Sequence, residues 1–151
     1  MGTFFVEAQL AALEAPERRE PVTLLVDSGS TYTWVTAATL RALAVVSTER
    51  RRVVTIEGQV VERDAAEVLI TLEGRTLHTL CLFADAGDLD VLGAYTLEGF
   101  GLGVDPVQRK LIPALYFGAT ATGRRGTPLR SVDFGPVHSI IELSPPVEWS
   151  P

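Results

Sequence analysis

The stretch VTLLVDSGSTYTW, residues 22–34, decides the fold of this chain. Its apolar start, residues 22–26, is typical of a buried strand, and the small polar residues 28–31 are typical of a tight turn. Asp27 therefore stands where the strand leaves the core. A carboxylate at such a position is costly unless it is hydrogen-bonded or shares a proton. The pattern indicates a buried catalytic carboxylate more than a surface charge.

The composition is that of an ordinary soluble domain. The 151 residues, 46% hydrophobic and 21% charged, are enough for one sizeable core. The net charge of −6 argues against nucleic acid or an anionic membrane as the main partner. No apolar run approaches the length of a membrane span, and the start of the chain, MGTFFVEAQL, lacks the pattern of a secretory signal. We therefore expect a cytoplasmic location.

The one cysteine and the two histidines give no sign of a metal or redox site. Cys81 lies in the apolar run LCLF, residues 80–83, which predicts a buried core thiol, and a single cysteine excludes an intrachain disulfide. His78 lies on an apolar strand pattern and is interpreted as a structural or surface residue. Together with His138, these residues show no metal-ligand spacing, so no metal and no cofactor are expected.

Most of the sequence up to residue 113 alternates short strand-like pieces with turns. Glycines in the segments 57–59 and 73–75 predict two hairpins, because glycine readily takes the positive φ of a tight turn. Short strands at close spacing with one clear helix predict a barrel or a sandwich. The predicted strands are residues 3–10, 22–26, 34–35, 53–56, 60–62, 68–72, 77–83, 90–93, 102–104 and 110–112.

The segments between these strands are predicted as helix or loop. Residues 36–43 are predicted as the helix, with Thr36 as its N-cap and with Leu40 and Leu43 on one face. Residues 94–98 are compatible with one helical turn, and the basic residues 48–52 are interpreted as a solvated loop.

From residue 114 onward the chain is poor in core formers and ends in a proline-rich segment. An extended or partly disordered tail is therefore predicted for residues 114–151. Residues 137–143 are its one strand-like piece, and pairing with the body or with a second chain are both open.

Two motifs together resemble the retroviral-type, or retropepsin-like, aspartic protease family. The first is LLVDSGST, residues 24–31, and the second is the triplet Val91-Leu92-Gly93. The family pattern is an apolar strand, Asp-Ser/Thr-Gly, a flap hairpin, and two apolar residues before a glycine. The resemblance covers about residues 2–113 and indicates a single-domain member of prokaryotic appearance. It implies an all-β, closed acid-protease barrel, similar to one half of pepsin, with one short helix, a flap hairpin and an extended C-terminal tail.

The resemblance also implies a role for each residue of the first motif. Asp27 is the catalytic acid, and the hydroxyl of Ser28 bonds across to the other half of the active site. Gly29 lets the backbone approach the carboxylates and supply an N–H. Ser30 matches the position whose hydroxyl can bond the outer carboxylate oxygen and favour its charged form.

Further roles follow from the same resemblance for residues outside that motif. Trp34 falls where the family lines a substrate pocket, although a tryptophan there is bulky. The flap that closes over substrate is matched by Ile56, Glu57, Gly58 and Gln59, and the strand beneath the catalytic loop by Val91, Leu92 and Gly93.

The chemistry of this family requires a second carboxylate. Peptide hydrolysis by this route uses two carboxylates about 3 Å apart that share one proton. The chain has one Asp-Ser/Thr-Gly motif: Asp105 precedes a proline, Asp90 precedes the crossing strand, and Asp133 lies in a DFG triplet without the phosphate loop of a kinase. The second acid is therefore expected from a second copy, in a symmetric homodimer with a polypeptide substrate.

Two other interpretations are open. One is a non-catalytic peptide-binding or interaction module of the same fold, which would bind peptides without turnover. The other is a monomer that resembles only half of an acid protease.

Overall fold

The structure is a computed structural model that describes residues 3–116. In this range the chain forms nine strands and two short helices, and no helix there is long and apolar enough to cross a membrane. The strands are β1 (Phe5–Ala11), β2 (Glu20–Val26), β3 (Thr33–Thr36), β4 (Glu49–Val54), β5 (Val60–Leu72), β6 (Arg75–Ala84), β7 (Val91–Leu92), β8 (Leu102–Asp105) and β9 (Lys110–Pro113). The helices are α1 (Ala37–Ala42) and α2 (Ala94–Gly99).

Six of the strands close into a barrel. Their hydrogen-bonded order is β1-β2-β7-β3-β6-β5, and β5 returns to β1, where Leu10 pairs with Ile70. Closure leaves these strands with neighbours on both sides, which removes most of the free backbone edges. Strands β8 and β9 form a separate two-stranded sheet. The predicted all-β, closed-barrel architecture is confirmed by this strand order.

Strand β5 is long enough to serve two purposes. Its first part, up to Ala65, pairs with β4, and the part from Ala65 onward pairs with β6. The β4–β5 hairpin is therefore an extension of a barrel strand. At the other end, Glu73 and Gly74 both have positive φ, the conformation of a type I′ hairpin turn. Both predicted hairpins are confirmed.

The core follows from the alternation of apolar residues along the strands. In β2, for example, Val22, Leu24 and Val26 point inward and are buried, while Thr23 is exposed. Helix α1 adds Leu40 to the core, and the largest fully buried side chains there are mostly leucine and isoleucine: Leu10, Leu24, Leu40, Leu43, Ile70, Leu82 and Leu92. Burial of such side chains supplies most of the free energy of folding.

Two sequence predictions about these elements are wrong. The basic segment 48–52 is not a solvated loop, because residues 49–52 form most of strand β4, where Arg50 pairs across the strands with Glu62 and Asp64. The pieces 60–62 and 68–72 belong to one continuous strand, since Ala65 and Ala66 between them are buried in the barrel. The predicted helix 36–43 and the predicted helical turn 94–98 are confirmed as α1 and α2.

The lone cysteine behaves as predicted. Cys81 in β6 is fully buried and free, and its burial raises the pKa of the thiol far above its usual range. A thiol in this environment stays protonated and is a poor nucleophile. His78 is exposed at the surface of the same strand. The predictions for residues 117–151, including the strand-like piece 137–143, lie outside the described residues.

Candidate active site

The Asp27 turn begins where β2 ends. The backbone N–H of Asp27 donates to the carbonyl of Leu92 at 3.1 Å, and the N–H of Ser30 donates back to the Asp27 carbonyl at 3.1 Å. The N–H of Gly29 donates to Oδ1 of the Asp27 carboxylate at 2.9 Å. These bonds fix both the backbone of the turn and the orientation of the acid.

The carboxylate itself is exposed, which corrects the prediction of a buried acid. The residue before it, Val26, is buried, but the turn carries the Asp27 side chain out of the core within one residue. Ser28 and Gly29 are exposed as well. The turn therefore presents an oriented carboxylate, with small neighbours, at the surface of the single chain.

The Ser30 hydroxyl does not contact the carboxylate in this structure. It donates instead to the carbonyl of Tyr32 at 2.9 Å, which closes the second half of the turn. The role that the resemblance implies for Ser30, a bond to the outer carboxylate oxygen, requires a different rotamer from the one seen here. The hydroxyl stabilises the loop in its present position.

Strand β7 supports the turn from below. It is inserted between β2 and β3, parallel to the former and antiparallel to the latter. Beyond it, the N–H of Ala94 donates to the Ser30 carbonyl at 2.7 Å, and the N–H of Tyr95 donates to the Thr31 carbonyl at 2.9 Å. A Cβ atom on Gly93 would collide with the carbonyl of Tyr32. Only glycine allows the two segments to approach so closely.

A buried cluster of hydroxyls that no sequence motif predicts lies behind Gly93. The N–H of Gly93 donates to Oγ1 of Thr33 at 3.1 Å. Oγ1 of Thr33 lies 2.6 Å from Oγ1 of Thr96, which lies 2.7 Å from Oγ1 of Thr79. Threonine is common in strands, so no pattern in the sequence distinguishes these three from surface threonines.

Asp90 is a second supporting residue whose role its sequence position before β7 does not predict. Its Oδ1 accepts bonds from the N–H of Thr36 at 2.6 Å and from the Thr36 hydroxyl at 2.8 Å. Its carbonyl accepts from the N–H of Leu25 at 2.9 Å. Thr36 does occupy the N-cap position of α1, but its hydroxyl bonds Asp90 and makes no capping bond. Asp90 thereby ties β2, β3 and the start of β7 together.

The predicted flap is the turn between β4 and β5. The N–H of Gly58 donates to the Thr55 carbonyl at 2.9 Å with φ of +79°, and Thr55 and Gln59 also bond each other. Ile56 is fully exposed at the tip, and Val54 and Val60 beside it are mostly exposed. Within the described residues, no hydrogen bond joins the tip to the Asp27 turn. The apolar side chains of the tip are thus exposed, and no hydrogen bond among the described residues ties them to the Asp27 turn.

The inner face of this hairpin reaches the segment that follows the Asp27 turn. Arg51 of β4 donates to the hydroxyl of Tyr32 at 3.0 Å, and its guanidinium lies 5.5 Å from the centre of that ring. The Tyr32 ring in turn packs against the ring of Tyr95, with centroids 6.3 Å apart. Directly opposite Arg51 in the strand register, Arg63 of β5 lies 5.8 Å from the ring centre of Trp34. Both hairpin strands are therefore anchored to the segment that follows the Asp27 turn, at Tyr32 and Trp34.

Arg63 also holds the acidic loop that precedes β7. Its guanidinium bonds Asp88 at 3.0 Å and lies 3.3 Å from Asp85. Burial disfavours the charged form of Asp88, but the hydrogen bonds from Arg63 and from the N–H of Asp85 outweigh it, and the pKa of Asp88 is lowered. Trp34, which the resemblance assigns to a substrate pocket, is half-buried beneath this cluster.

Comparison with known proteins adds two structural neighbours. No protein-family model matches the chain, and no curated protein matches it. Among solved structures, the chain is similar to the EIAV protease complexed with the inhibitor HBY-793, at 23% identity and a TM-score of 0.48 over 65% of this chain and 88% of that one. It is also similar to the protease of simian foamy virus (mac), at 20% identity and a TM-score of 0.46 over 64% and 94% of the two chains. Both neighbours are retroviral proteases, the class of protein that the sequence motifs resemble.

Proposed function

We propose that this protein is an aspartic endopeptidase that acts as a homodimer, with one Asp27 carboxylate from each copy. The observation that carries the proposal is the Asp27 turn: an exposed carboxylate, oriented by the Gly29 N–H at 2.9 Å and supported from below by Gly93. An acid that served only to close its own turn would not need this support from a strand some sixty residues further along the chain.

The reaction needs two such acids close together. Two carboxylates about 3 Å apart cannot both ionise, so they hold one proton between them. The ionised carboxylate takes a proton from water as that water attacks the peptide carbonyl, and the protonated carboxyl polarises the carbonyl oxygen. The titration then belongs to the pair and not to either acid. Because Asp27 is exposed and has small neighbours, a second copy of the same turn can approach it across a two-fold axis.

The β4–β5 hairpin supplies the remaining part of a protease site. Its base contacts Tyr32 and Trp34 beside the catalytic turn, and its exposed tip carries Ile56. Closure of an apolar tip of this kind over a bound peptide is favourable, because the apolar surfaces of both leave water. Residues 56–59 thus act as a flap that closes over the substrate.

The substitution Asp27→Asn tests the proposal. Asparagine keeps the acceptor for the Gly29 N–H but cannot hold the shared proton, so we expect an intact dimer whose kcat is lower by about 10³-fold or more. The measurement is turnover of a peptide library at several pH values, with dimerisation followed by light scattering.

Asp105→Asn is the matched control. The Asp105 carboxylate also accepts bonds from backbone N–H groups in a turn, those of Val107 and Gln108, both at 2.9 Å. The same chemical change is thus made in the separate β8–β9 sheet. We expect wild-type turnover from this variant. A folded Asp27→Asn dimer that still cleaves peptides would overturn the proposal, and a wild-type protein that binds peptides without cleaving them would favour the non-catalytic module.

A further inference from the structure

Three threonine hydroxyls form a continuous chain inside the barrel. They come from three separate elements, Thr33 from β3, Thr79 from β6 and Thr96 from α2, and their side chains are at most 2% exposed. The oxygen–oxygen distances of 2.6 and 2.7 Å are those of good hydrogen bonds between hydroxyls. We call these three residues the threonine cluster.

The threonine cluster ends at the backbone of Gly93. Oγ1 of Thr33 accepts the Gly93 N–H at 3.1 Å, and this N–H is buried. The next residue, Ala94, donates to the Ser30 carbonyl at 2.7 Å, three residues beyond Asp27. A displacement of Gly93 is therefore passed directly to the turn that carries the acid. Because Gly93 already lies against the Tyr32 carbonyl, it cannot move toward the turn, only away from it.

We propose that the threonine cluster positions the Asp27 turn for catalysis by holding Gly93 at a fixed distance beneath it. This inference rests on the proposed peptidase function for its kinetic consequences. Thr33, Thr79 and Thr96 are positioning residues in this scheme, since none of them touches the substrate or the carboxylate. The cluster joins β6 and α2 to the loop that must meet its copy across the two-fold axis.

The choice of hydroxyls at these positions supports a positioning role. Valine has nearly the shape of threonine, and replacing all partners of a buried hydrogen bond with apolar groups of the same shape is often close to neutral for stability. A barrel that only needed a packed core could therefore carry three valines here. What valine cannot supply is the acceptor for the Gly93 N–H, which is the one bond that joins the threonine cluster to the catalytic loop.

The experiment compares single and triple valine variants of the threonine cluster. For Thr33→Val, and for the triple variant Thr33→Val/Thr79→Val/Thr96→Val, we expect kcat to fall about 10- to 100-fold while KM changes by less than about twofold. The reason is that the acids are misplaced while the proposed flap that binds substrate is unchanged. Thr33→Ser keeps the hydroxyl and should retain most of the wild-type kcat. Thr79→Val, two hydroxyls away from Gly93, should give a smaller loss of the same kind.

Thr71→Val is the matched control. Thr71 and Thr76 form a similar hydroxyl pair, 2.7 Å apart, on the exposed surface of the β5–β6 hairpin. This variant breaks the same type of bond at a site that does not contact Gly93, so kcat should stay at the wild-type value.

Amide hydrogen exchange gives a readout that does not depend on catalysis. We expect faster exchange at the N–H groups of Ala94 and Asp27, which join β7 and α2 to the turn, in Thr33→Val than in Thr71→Val. If exchange is faster in Thr33→Val but the wild-type protein has no peptidase activity, the positioning role stands and the proposed function is overturned. Unchanged exchange and unchanged kcat in Thr33→Val and in the triple variant, with Asp27→Asn inactive, would overturn the positioning role alone.

Discussion

Among the described glycines, Gly93 has the least room for a side chain. A side chain there would overlap the carbonyl of Tyr32 and would lie 2.9 Å from that of Ser30, both of which are backbone atoms of the Asp27 loop. The backbone cannot swing aside as a flexible side chain would, since Ala94 and Tyr95 bond the same loop. Even one methyl group must therefore separate the supporting strand from the turn.

Gly93→Ala is expected to disable the site and to destabilise the barrel. Overpacking against a fixed backbone costs about 3 kcal/mol, and the turn would shift away from its position. The free energy of unfolding, measured with urea, and peptide turnover should both fall. Gly99→Ala in α2 is the control, because a Cβ there meets nothing within 4 Å, and its stability should stay equal or rise slightly. If the two variants had the same free energy of unfolding and the same turnover, a side chain at position 93 would not be excluded by the Tyr32 carbonyl.

Sequence reasoning finds some of these residues and not others for a physical reason. Asp27, Ser28 and Gly29 form one short motif, and Val91-Leu92-Gly93 forms another, so local order is enough to identify them. The threonine cluster depends on contacts between residues 17 and 63 positions apart, which only the folded barrel brings together. Exposure of Asp27 also could not be predicted, because the strand before it is apolar and the direction of the turn is set by β7.

At the scale of elements, the β4–β5 hairpin is anchored by two arginines that face each other across the strand pair. Arg51 bonds Tyr32, and Arg63 bonds Asp88 and covers Trp34. Beyond this pair, residues 52–62 make contacts within the hairpin but no hydrogen bond to the Asp27 turn. If residues 56–59 act as the proposed flap, we expect the tip to move about the arginine pair, whose bonds hold the base of the hairpin in place.

The anchor at Arg63 should weaken in acid. Because the pKa of Asp88 is lowered in the folded protein, its ionised form contributes stability at every pH above its unfolded value of about 3.9. This contribution is lost as the pH falls below that value and through the lowered pKa. Asp88→Asn should cost on the order of 1 kcal/mol of stability near neutral pH, and less as the pH falls through the lowered pKa of Asp88. Chemical denaturation across that range is the measurement.

Asp64→Asn is the control for this pH dependence. Asp64 pairs with Arg50 on the outer face of the same hairpin, at 3.5 Å and with both side chains well exposed, so its loss should have little effect at any pH. If the two variants lost the same stability near neutral pH, the Arg63–Asp88 pair would be no stronger than an ordinary surface pair.

Some elements could be predicted from local sequence patterns and others could not. The hairpin turns were predictable because Gly58 and Gly74 require positive φ, and the apolar strand before Asp27 was clear. The arginine-rich strand β4 was not, since its charges suit a loop until the acids of β5 are aligned opposite them. Cross-strand neighbours, and not the sequence of one strand, determine that assignment.

At the scale of the whole molecule, the proposal requires two chains for each active site. Wild-type protein and Asp27→Asn, unfolded together in equal amounts and refolded, would pair at random. About a quarter of the dimers would then hold two acids. Peptide turnover should fall to about a quarter of that of the same total protein without the variant, below the half expected if each chain acted alone. Turnover at half would support a monomeric site and contradict the homodimer.

The closed barrel could be predicted from the sequence only in part. The number and spacing of strands predict a barrel or a sandwich, and the resemblance implies the barrel. The step that closes it, the pairing of β1 with the end of β5, joins residues some sixty positions apart and has no local signal. Closure is a property of the complete set of strands, so only the folded structure can establish it.

The short strand β7 determines when, during synthesis, the Asp27 turn can reach its folded position. Although β7 is only two residues long, it separates β2 from β3, and the Asp27 turn rests on the residues that follow it. Contacts between distant parts of a chain form late, because the loop between them must close first. During synthesis, the strand with the acid leaves the ribosome long before its support does. A growing chain that has not reached Tyr95 carries Asp27 without the shape that the proposed reaction needs, and so has no means to cut its neighbours while it is being made.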